Sequence, residues 1–166
     1  MERTFREGNI EDIEQLREIA IISYRQFEKV LTQENWNILY EKLKSESVYT
    51  EILKIAKCFV CEIEKEIIGV AYFVPSGNPT DIFAPNWSYL RMVGVNPKYR
   101  GHGISAKLTQ LCIEYATNNG EKIIALHTSE FMNAARYIYE KLGFIKIKEL
   151  NPLFGKKYWL YQLELS

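Results

Sequence analysis

The chain has 166 residues, 47% of them hydrophobic and 25% charged, a composition typical of a globular protein with one domain and one sizeable core. Its 21 basic and 21 acidic residues are interleaved and balance to a formal net charge of zero, so no basic face indicates a nucleic-acid partner. The N-terminal segment MERTFREGNIED lacks the apolar core of a signal peptide, and no apolar run approaches the roughly 20 residues of a membrane span. We therefore expect a single cytoplasmic domain over residues 1–166, with neither nucleic acid nor membrane as a partner.

The first third of the chain predicts one short strand and three helices. The strand is expected at Thr4 to Arg6. Asn9 can cap the first helix, because Glu11 and Asp12 then fall in its first turn, where acidic residues are favourable. Thr32 can cap the second helix, and a third, shorter helical pattern follows it.

The rest of the chain alternates strands with helices. A polar turn between two β-rich runs predicts a hairpin, and the glycine-containing segment YRGHGIS separates a strand from a helix. The pattern predicts one α/β unit: helices, an antiparallel meander, a β-α-β-α segment and a terminal hairpin around a loop, NPLFGKK. The expected elements are strands at Phe59–Ile63, Ile67–Val74, Tyr89–Val95, Lys122–His127, Phe144–Glu149 and Tyr158–Leu163, a helix from Ile104 to about Asn118, and a final helix capped by Thr128 or Ser129 and ended by Gly143.

The three cysteines are expected to be packing residues. Cys58 and Cys61 form a CxxC pattern, but both lie in a predicted strand, where residues three apart point to opposite faces. No second cysteine pair or nearby histidine completes a zinc site. Cys112 falls on the apolar face of a predicted helix. The sequence therefore predicts no metal.

The segment Arg100–Ala106 has the pattern of a phosphate-binding turn. A P-loop needs four residues between its glycines and then lysine with serine or threonine, and this segment has neither. The dinucleotide fingerprint G-x-G-x-x-A does match from Gly101. However, the next predicted strand ends at His127 and Thr128, where a dinucleotide fold places an acidic residue. An NAD-linked enzyme is thus an alternative that the surrounding sequence does not favour.

A third interpretation of this turn follows from local physics. Two closely spaced glycines follow a strand and a turn and lie at the start of a helix. A helix start of this kind presents several free backbone N–H groups, and the helix dipole adds positive potential there. Gly101 and Gly103 carry no Cβ, so a phosphate can approach the backbone, and Arg100 adds a permanent charge. The arrangement suits a diphosphate bound at a single short crossover.

With these residues the sequence resembles the GNAT superfamily of N-acetyltransferases. Residues Arg100 to Ser105 fit its acetyl-CoA motif, Q/R-x-x-G-x-G/A, except that Ser105 replaces Gly or Ala. The segment Met132–Phe144 is similar to the second signature of the family, A-x-x-x-Y-E-x-L-G-F, with Ala135 and Tyr139 in the expected places. The element order matches over nearly the whole chain. The resemblance implies a mixed, mostly antiparallel central sheet of six to seven strands flanked by helices.

The resemblance also implies transfer of acetyl from acetyl-CoA to a primary amine by direct attack in a ternary complex. Backbone N–H groups beside a splay in the fourth strand would hold the oxyanion, and Gly94 suits a bulge there. Tyr139 would protonate or hydrogen-bond the leaving thiolate. The residues implied to bind the cofactor are Met92, Val93, Gly94, Val95, Arg100, Gly101, His102, Gly103, Ile104, Ser105, Ala106 and Tyr139.

The general base is left open. Many relatives place a carboxylate on the fourth strand, where this chain has Tyr-Leu-Arg at positions 89–91. Glu62 on an adjacent strand and Glu64 at its end alternate to one face, so either is a candidate base acting through water. His127 ends the predicted fifth strand near the expected substrate, where a structural role competes with that of a base.

The acceptor, a small-molecule or peptide amine, is not identified by the sequence. The segments with which the family selects its acceptor are aromatic here, and aromatic side chains either line a pocket for an amine or pack against one another. A homodimer through the terminal hairpin is one open possibility. Because no base is evident, a non-catalytic acyl-CoA-binding or sensing domain is the alternative function. The aromatic candidates are Tyr24, Phe27, Trp36, Tyr40, Phe83, Trp87, Phe154, Tyr158 and Trp159.

Overall fold

The structure is a computed structural model that describes residues 2–166. This part of the chain contains seven strands, five α-helices and three short 3₁₀ turns, and none of its helices has the length and apolarity that a bilayer crossing requires. The elements are β1 Thr4–Glu7, α1 Ile13–Tyr24, α2 Gln33–Lys44, α3 Glu46–Ile55, β2 Lys57–Ile63, β3 Glu66–Val74, β4 Ser88–Val95, α4 Ile104–Asn118, β5 Ile123–Ser129, α5 Asn133–Lys141, β6 Ile145–Leu153 and β7 Lys156–Glu164.

The predicted cap of the second helix is confirmed, whereas Asn9 caps a 3₁₀ turn that precedes the first helix. The side chain of Asn9 accepts a hydrogen bond from the Glu11 amide, and the Asp12 carboxylate accepts one from the Asn9 amide at 2.9 Å. This capping box starts a 3₁₀ turn, Ile10–Asp12, that leads directly into α1. Thr32 caps α2, because its hydroxyl accepts a hydrogen bond from the amide of Asn35 at 3.1 Å.

All seven strands form one sheet in the order β1-β2-β3-β4-β5-β7-β6. Every neighbouring pair is antiparallel except β4 and β5, which run parallel and are joined by the crossover through α4. This order confirms the mixed, mostly antiparallel sheet that the resemblance implied.

Helices cover both faces of the sheet, so the sheet lies between two apolar clusters. Residues of α1 and α3 pack against one face, and residues of α4 and α5 pack against the other. Cys58 lies in the first cluster and Cys61 in the second, as the strand periodicity predicts. Both thiols and that of Cys112 are free and buried, so the expectation that they serve packing is confirmed.

Two predicted boundaries are wrong near the C-terminus. Ser129 does not cap the last helix, because β5 continues through it: Ser129 pairs with Tyr158, and its hydroxyl donates to the Lys157 carbonyl at 2.7 Å. The segment NPLFGKK is not a loop, since β6 runs to Leu153 and only a tight turn separates it from β7. Pro152 is tolerated because β6 is the edge strand and its register shifts between Leu150 and Leu153.

The one parallel contact in the sheet is short, and this opens the sheet. Strands β4 and β5 pair only at Ser88 with Ile124 and at Tyr89 with Ala125. Beyond Tyr89 the two strands diverge, so the β5-facing edge of the rest of β4 has no strand partner. The splay exposes backbone polar groups in the middle of the sheet, where a ligand can bind them.

Candidate active site

A cavity of about 560 Å³ lies where β4 and β5 separate. On one side it is bounded by α1, α2 and the start of α3. On the other it is bounded by residues 100–103, called the glycine turn below, by the first turn of α4 and by helix α5. Eleven of the twelve residues expected to bind the cofactor line it, and His102 is the exception. Those eleven are Met92, Val93, Gly94, Val95, Arg100, Gly101, Gly103, Ile104, Ser105, Ala106 and Tyr139.

The bulge in β4 lies at Met92 and Val93 rather than at Gly94. Tyr72 pairs with Arg91 and Val70 pairs with Gly94, which leaves two residues of β4 opposite one residue of β3. Met92 carries the distortion, with a φ of 52° that residues other than glycine seldom adopt. The bulge lies in the part of β4 that has no pairing with β5, and both of its residues line the cavity.

Gly94 has a different role from the one expected, because helix α1 passes over it. A Cβ built at Gly94 would lie 2.4 Å from the Oγ of Ser23 and 3.0 Å from its Cβ. Ser23 is buried in the last turn of α1, and its hydroxyl donates to the Ala20 carbonyl at 3.1 Å. The missing side chain at Gly94 therefore brings α1 close to β4, and this contact forms one wall of the cavity.

The glycine turn has the geometry of an anion site. Gly101 and Gly103 have φ angles of 81° and 75°, and a Cβ on either would meet no other atom within 4 Å. The glycines thus satisfy the backbone conformation and leave open space in front of the turn. The first helical hydrogen bond of α4 runs from Lys107 to Gly103 at 3.0 Å, so the amides of residues 104–106 precede it and have no helical partner.

Arg100 binds the end of helix α1. Its guanidinium donates to Oε1 of Gln26 at 2.8 Å and to the carbonyl of Ser23 at 3.3 Å. Partial burial lowers the pKa of Arg100, but the guanidinium keeps its charge at neutral pH. Arg100 therefore ties the turn to α1 at the rim of the cavity, in addition to supplying a positive charge.

His102 points away from this cavity. It is exposed and borders a smaller pocket with Arg3 and Lys98, and its carbonyl accepts a hydrogen bond from Arg3 at 2.8 Å. It is the one member of the expected cofactor set that the structure does not bring to the cavity.

Tyr139 lies on α5, is buried and lines the cavity beside the glycine turn. Its ring packs edge-on against Phe144, with 5.8 Å between the ring centroids. Burial is the main cause that raises the pKa of Tyr139, so its phenol stays neutral across the physiological range. A phenol with a raised pKa gives up its proton less readily, but its O–H remains available to donate a hydrogen bond.

Neither carboxylate considered as a base reaches the cavity. Glu62 forms an ion pair with Arg6 of β1 at 3.1 Å, and Glu64 lies exposed in the β2–β3 turn with a φ of 49°. Both belong to the β1–β2 side of the sheet, whereas the cavity opens beyond β4. Within the described residues 2–166, the residues that line the cavity include no Asp or Glu.

His127 lies on β5 and lines the cavity as a neutral imidazole. Its ring lies between Phe83, with centroids 6.0 Å apart, and Tyr158, with centroids 5.5 Å apart. The Nδ1 atom is buried and has no hydrogen-bond partner among the described residues. Burial, with the positive charge of Arg91 as a smaller cause, lowers the pKa of His127 to about 4. The imidazole is therefore uncharged near neutral pH.

About half of the aromatic candidates line the cavity. Tyr24, Phe27, Phe154 and Tyr158 do so, whereas the other five pack elsewhere: Trp36, Tyr40, Phe83, Trp87 and Trp159. The sequence interpretation missed Phe131, which contacts Phe27 edge-on with centroids 4.8 Å apart. Its position directly after the carboxyl end of β5 is the signal that could have found it.

No metal centre is visible in this arrangement. Across residues 2–166, no group of three or more His, Cys, Asp or Glu side chains is placed to hold an ion. The polar groups around the cavity are backbone amides, the hydroxyls of tyrosine, serine and threonine residues, two side-chain amides, one neutral imidazole and cationic side chains. Such a set can hold an anion and stabilise an oxyanion.

Comparison with known proteins agrees with this geometry. A family model described as "Acetyltransferase (GNAT) family" matches residues 13–144. N-alpha-acetyltransferase 30 of Schizosaccharomyces pombe is 40% identical over 62 residues, which are 37% of this chain and 41% of that protein. The chain thus spans under half the length of this curated relative.

Solved structures share the fold over the whole chain. The PaiA N-acetyltransferase of Thermoplasma acidophilum, in complex with coenzyme A, has a TM-score of 0.82 at 15% identity, with 99% of both chains covered. YncA of Salmonella typhimurium, with its cofactor acetyl-CoA, has a TM-score of 0.68 at 20% identity, with 99% of this chain and 94% of that one covered. At these identities the likeness establishes the fold.

Proposed function

This chain belongs to the GNAT family of acetyltransferases, and we propose that it transfers the acetyl group of acetyl-CoA to a primary amine by direct attack in a ternary complex. The observation that carries the proposal is the single cavity shared by the glycine turn, the bulged edge of β4 and Tyr139. A diphosphate at the turn and a thioester beside β4 can be bound at the same time.

The diphosphate end is held by the start of α4. The amides of Ile104, Ser105 and Ala106 precede the first helical hydrogen bond and have no helical partner, and the dipole of a 15-residue helix favours negative charge at this point. The open space in front of Gly101 and Gly103 lets phosphate oxygens approach the backbone.

The acetyl end lies at the splay. Backbone N–H groups of β4 near the bulge can donate to the thioester oxygen, and they bind it more strongly as it becomes an oxyanion. The amine nitrogen forms a bond to the carbonyl carbon, and the carbon–sulfur bond then breaks. The Tyr139 hydroxyl donates a hydrogen bond to the leaving thiolate, which takes its proton from solvent, because the raised pKa of the phenol makes full transfer from it uphill.

The proton on the attacking amine goes to water in this proposal. An alkylammonium has a pKa near 10, and His127, with a pKa of about 4, is weaker as a base by about six units, or roughly 8 kcal/mol. The amine must therefore react as its neutral fraction. A largely apolar cavity without a carboxylate increases that fraction, since desolvation and nearby positive charge both lower the pKa of a bound ammonium.

A thiol-release assay tests the proposed transfer. Acetyl-CoA is incubated with the protein and a panel of primary amines, and free coenzyme A thiol is measured, with acetyl-CoA affinity determined separately by calorimetry. We expect tight acetyl-CoA binding together with thiol release that depends on the acceptor. Binding without acceptor-dependent release from any amine would instead support a non-catalytic acyl-CoA-binding domain.

A further inference from the structure

The charge inside the cavity has a single sign. The charged side chains that line it are Lys42, Arg91 and Arg100, and no Asp or Glu lies within 4 Å of their nitrogen atoms among residues 2–166. Arg100 is already bound to Gln26 and to the Ser23 carbonyl. Lys42 lies over the ring of Phe154 at 5.6 Å. Arg91, which is exposed, therefore lines the cavity with no Asp or Glu paired to its guanidinium.

Arg91 lies in the half of the cavity away from the glycine turn. It precedes Val95, the last residue of β4, by four positions, which is about 13 Å along an extended strand. It pairs with Tyr72, whose side chain belongs to the cluster under α1, so Arg91 faces α1. Tyr24 and His127 also line the cavity, and both lie close enough to Arg91 for its charge to lower their pKa values, against the larger effect of burial in the case of Tyr24. This half lies on the acceptor side of the proposed thioester position.

We propose that Arg91 binds a carboxylate of the acceptor, and that the acceptor is a primary amine of the amino-acid class. The inference rests on the proposed acetyl transfer, and it specifies the substrate of that reaction. The planar guanidinium group can donate two parallel hydrogen bonds to one carboxylate. Charge-assisted hydrogen bonds of this kind are among the strongest hydrogen bonds in proteins. Lys42 adds a second positive charge on the α2 side.

The same cation also favours the reactive form of the acceptor. A carboxylate bound at Arg91 holds the neighbouring amine close to a positive charge, which lowers the pKa of the ammonium and increases its neutral fraction. An acceptor that carries a carboxylate explains why Arg91 of β4 lines the cavity and why no acidic residue does so. A diamine or polyamine carries a second positive charge, which Lys42 and Arg91 would repel.

Matched acceptor pairs test the inference. Each L-amino acid is compared with its own primary amide, which keeps the side chain and removes the negative charge. Because loss of the carboxylate also lowers the pKa of the amine, both rates are expressed per concentration of neutral amine. We expect kcat/KM to favour the acid by about 10- to 100-fold for the preferred side chains. In Arg91→Gln this preference should fall to near unity through a higher KM for the acceptor, whereas the KM for acetyl-CoA stays close to that of the wild type.

Two further variants make the test specific. Arg17→Gln is a matched control, because Arg17 is a cationic residue of α1 that pairs with Glu14 and lies outside the cavity; it should keep the wild-type preference. Arg91→Glu should reverse the preference in favour of the amides. An acid-to-amide ratio near one in the wild type would overturn the inference, as would an Arg91→Gln variant that weakens acetyl-CoA rather than the acceptor.

A binding measurement separates this inference from the transfer itself. If no amine of either class releases thiol, the proposed transfer fails, and calorimetry with N-acetyl amino acids and their amides still tests Arg91. Selective binding of the acids that is lost in Arg91→Gln would support the carboxylate site. Equal binding of acids and amides, or binding of neither, would overturn it.

Discussion

At the scale of single residues, the most direct prediction concerns the effect of removing the Tyr139 hydroxyl on kcat. Tyr139→Phe removes the proposed hydrogen bond to a developing thiolate and leaves the ring packing with Phe144 intact. A hydrogen bond to a charged group contributes about 1.5–3 kcal/mol, so we expect kcat to fall by about 10- to 100-fold. Acetyl-CoA affinity, measured by calorimetry, should be nearly unchanged.

The pH profile of the wild type adds a second readout for Tyr139. Burial raises the pKa of its phenol, so the group stays protonated through the range in which the acceptor amine deprotonates. The rate should therefore rise with pH and show no falling limb below pH 10 from this residue. Unchanged kcat in Tyr139→Phe would exclude Tyr139 from the chemical step.

The lowered pKa of His127 predicts how the free energy of unfolding depends on pH. Its folded pKa of about 4 lies below the ordinary value of 6.5, so the unfolded chain binds the proton more readily between these values. The neutral ring makes its full contribution to the free energy of unfolding above pH 6.5, and this contribution is lost as the pH falls toward 4. The full loss is on the order of 3 kcal/mol.

Urea denaturation at pH 7 and at pH 4.5 measures this effect. His127→Gln should show a smaller drop in the free energy of unfolding between the two pH values than the wild type does. His102→Gln is the matched control, because the only other histidine is exposed and lies outside the cavity; it should keep the wild-type drop. An equal drop in all three proteins would contradict the assignment.

At the scale of elements, helix α4 offers a matched pair of glycines. Gly103 begins the helix and Gly120 follows its end, their φ angles are 75° and 77°, and a Cβ on either would meet no atom within 4 Å. Alanine at either position should cost about 1–2 kcal/mol of backbone strain. Only Gly103→Ala places a methyl group where the diphosphate would lie, so only this variant should weaken acetyl-CoA binding, by at least tenfold.

Thermal unfolding and acetyl-CoA titration separate the two effects of these variants. Both should lose similar amounts of thermal stability, and Gly120→Ala should retain wild-type affinity. Equal affinities in the two variants would mean that the diphosphate does not approach the turn at Gly103.

The contact between α1 and β4 gives a second prediction at this scale. Gly94→Ala forces a methyl group to within 2.4 Å of the Ser23 hydroxyl, so we expect a loss of about 1–3 kcal/mol from overpacking. Adding Ser23→Ala removes that oxygen and should recover part of the loss, although the Cβ of Ser23 would still lie 3.0 Å away. A double-mutant cycle of urea unfolding measures the coupling, and strictly additive changes would show that the two residues do not interact.

Local signals in the sequence predicted most of the elements that build the site. The glycines at 101 and 103 are required by a backbone conformation set within a few residues, so they identified the turn and the start of α4. The bulge at Met92 was misplaced because it depends on the register between β3 and β4, which no short segment of sequence encodes. The start of α5 was misplaced because pairing between Ser129 and Tyr158 extends β5.

At the scale of the whole molecule, the order of strands in the sheet decides which residues meet. Glu62 alternates correctly on its strand, but β2 lies two strands away from β4, and the carboxylate pairs with Arg6 instead. Arg91 and Lys42 come from β4 and α2, and their meeting in one cavity without an acidic partner follows only from the tertiary fold. Family signatures could predict the residues of the proposed cofactor site, whereas those of the proposed acceptor site required the structure.

The account depends on a diphosphate bound at the start of α4, and a crystal structure of the protein with coenzyme A tests this most directly. We predict diphosphate oxygens about 2.7–3.2 Å from the amide nitrogens of Ile104, Ser105 and Ala106. The thiol should lie between the bulge of β4 and the Tyr139 hydroxyl. A glycine turn left empty by the bound coenzyme, or a diphosphate bound elsewhere on the protein, would contradict the account.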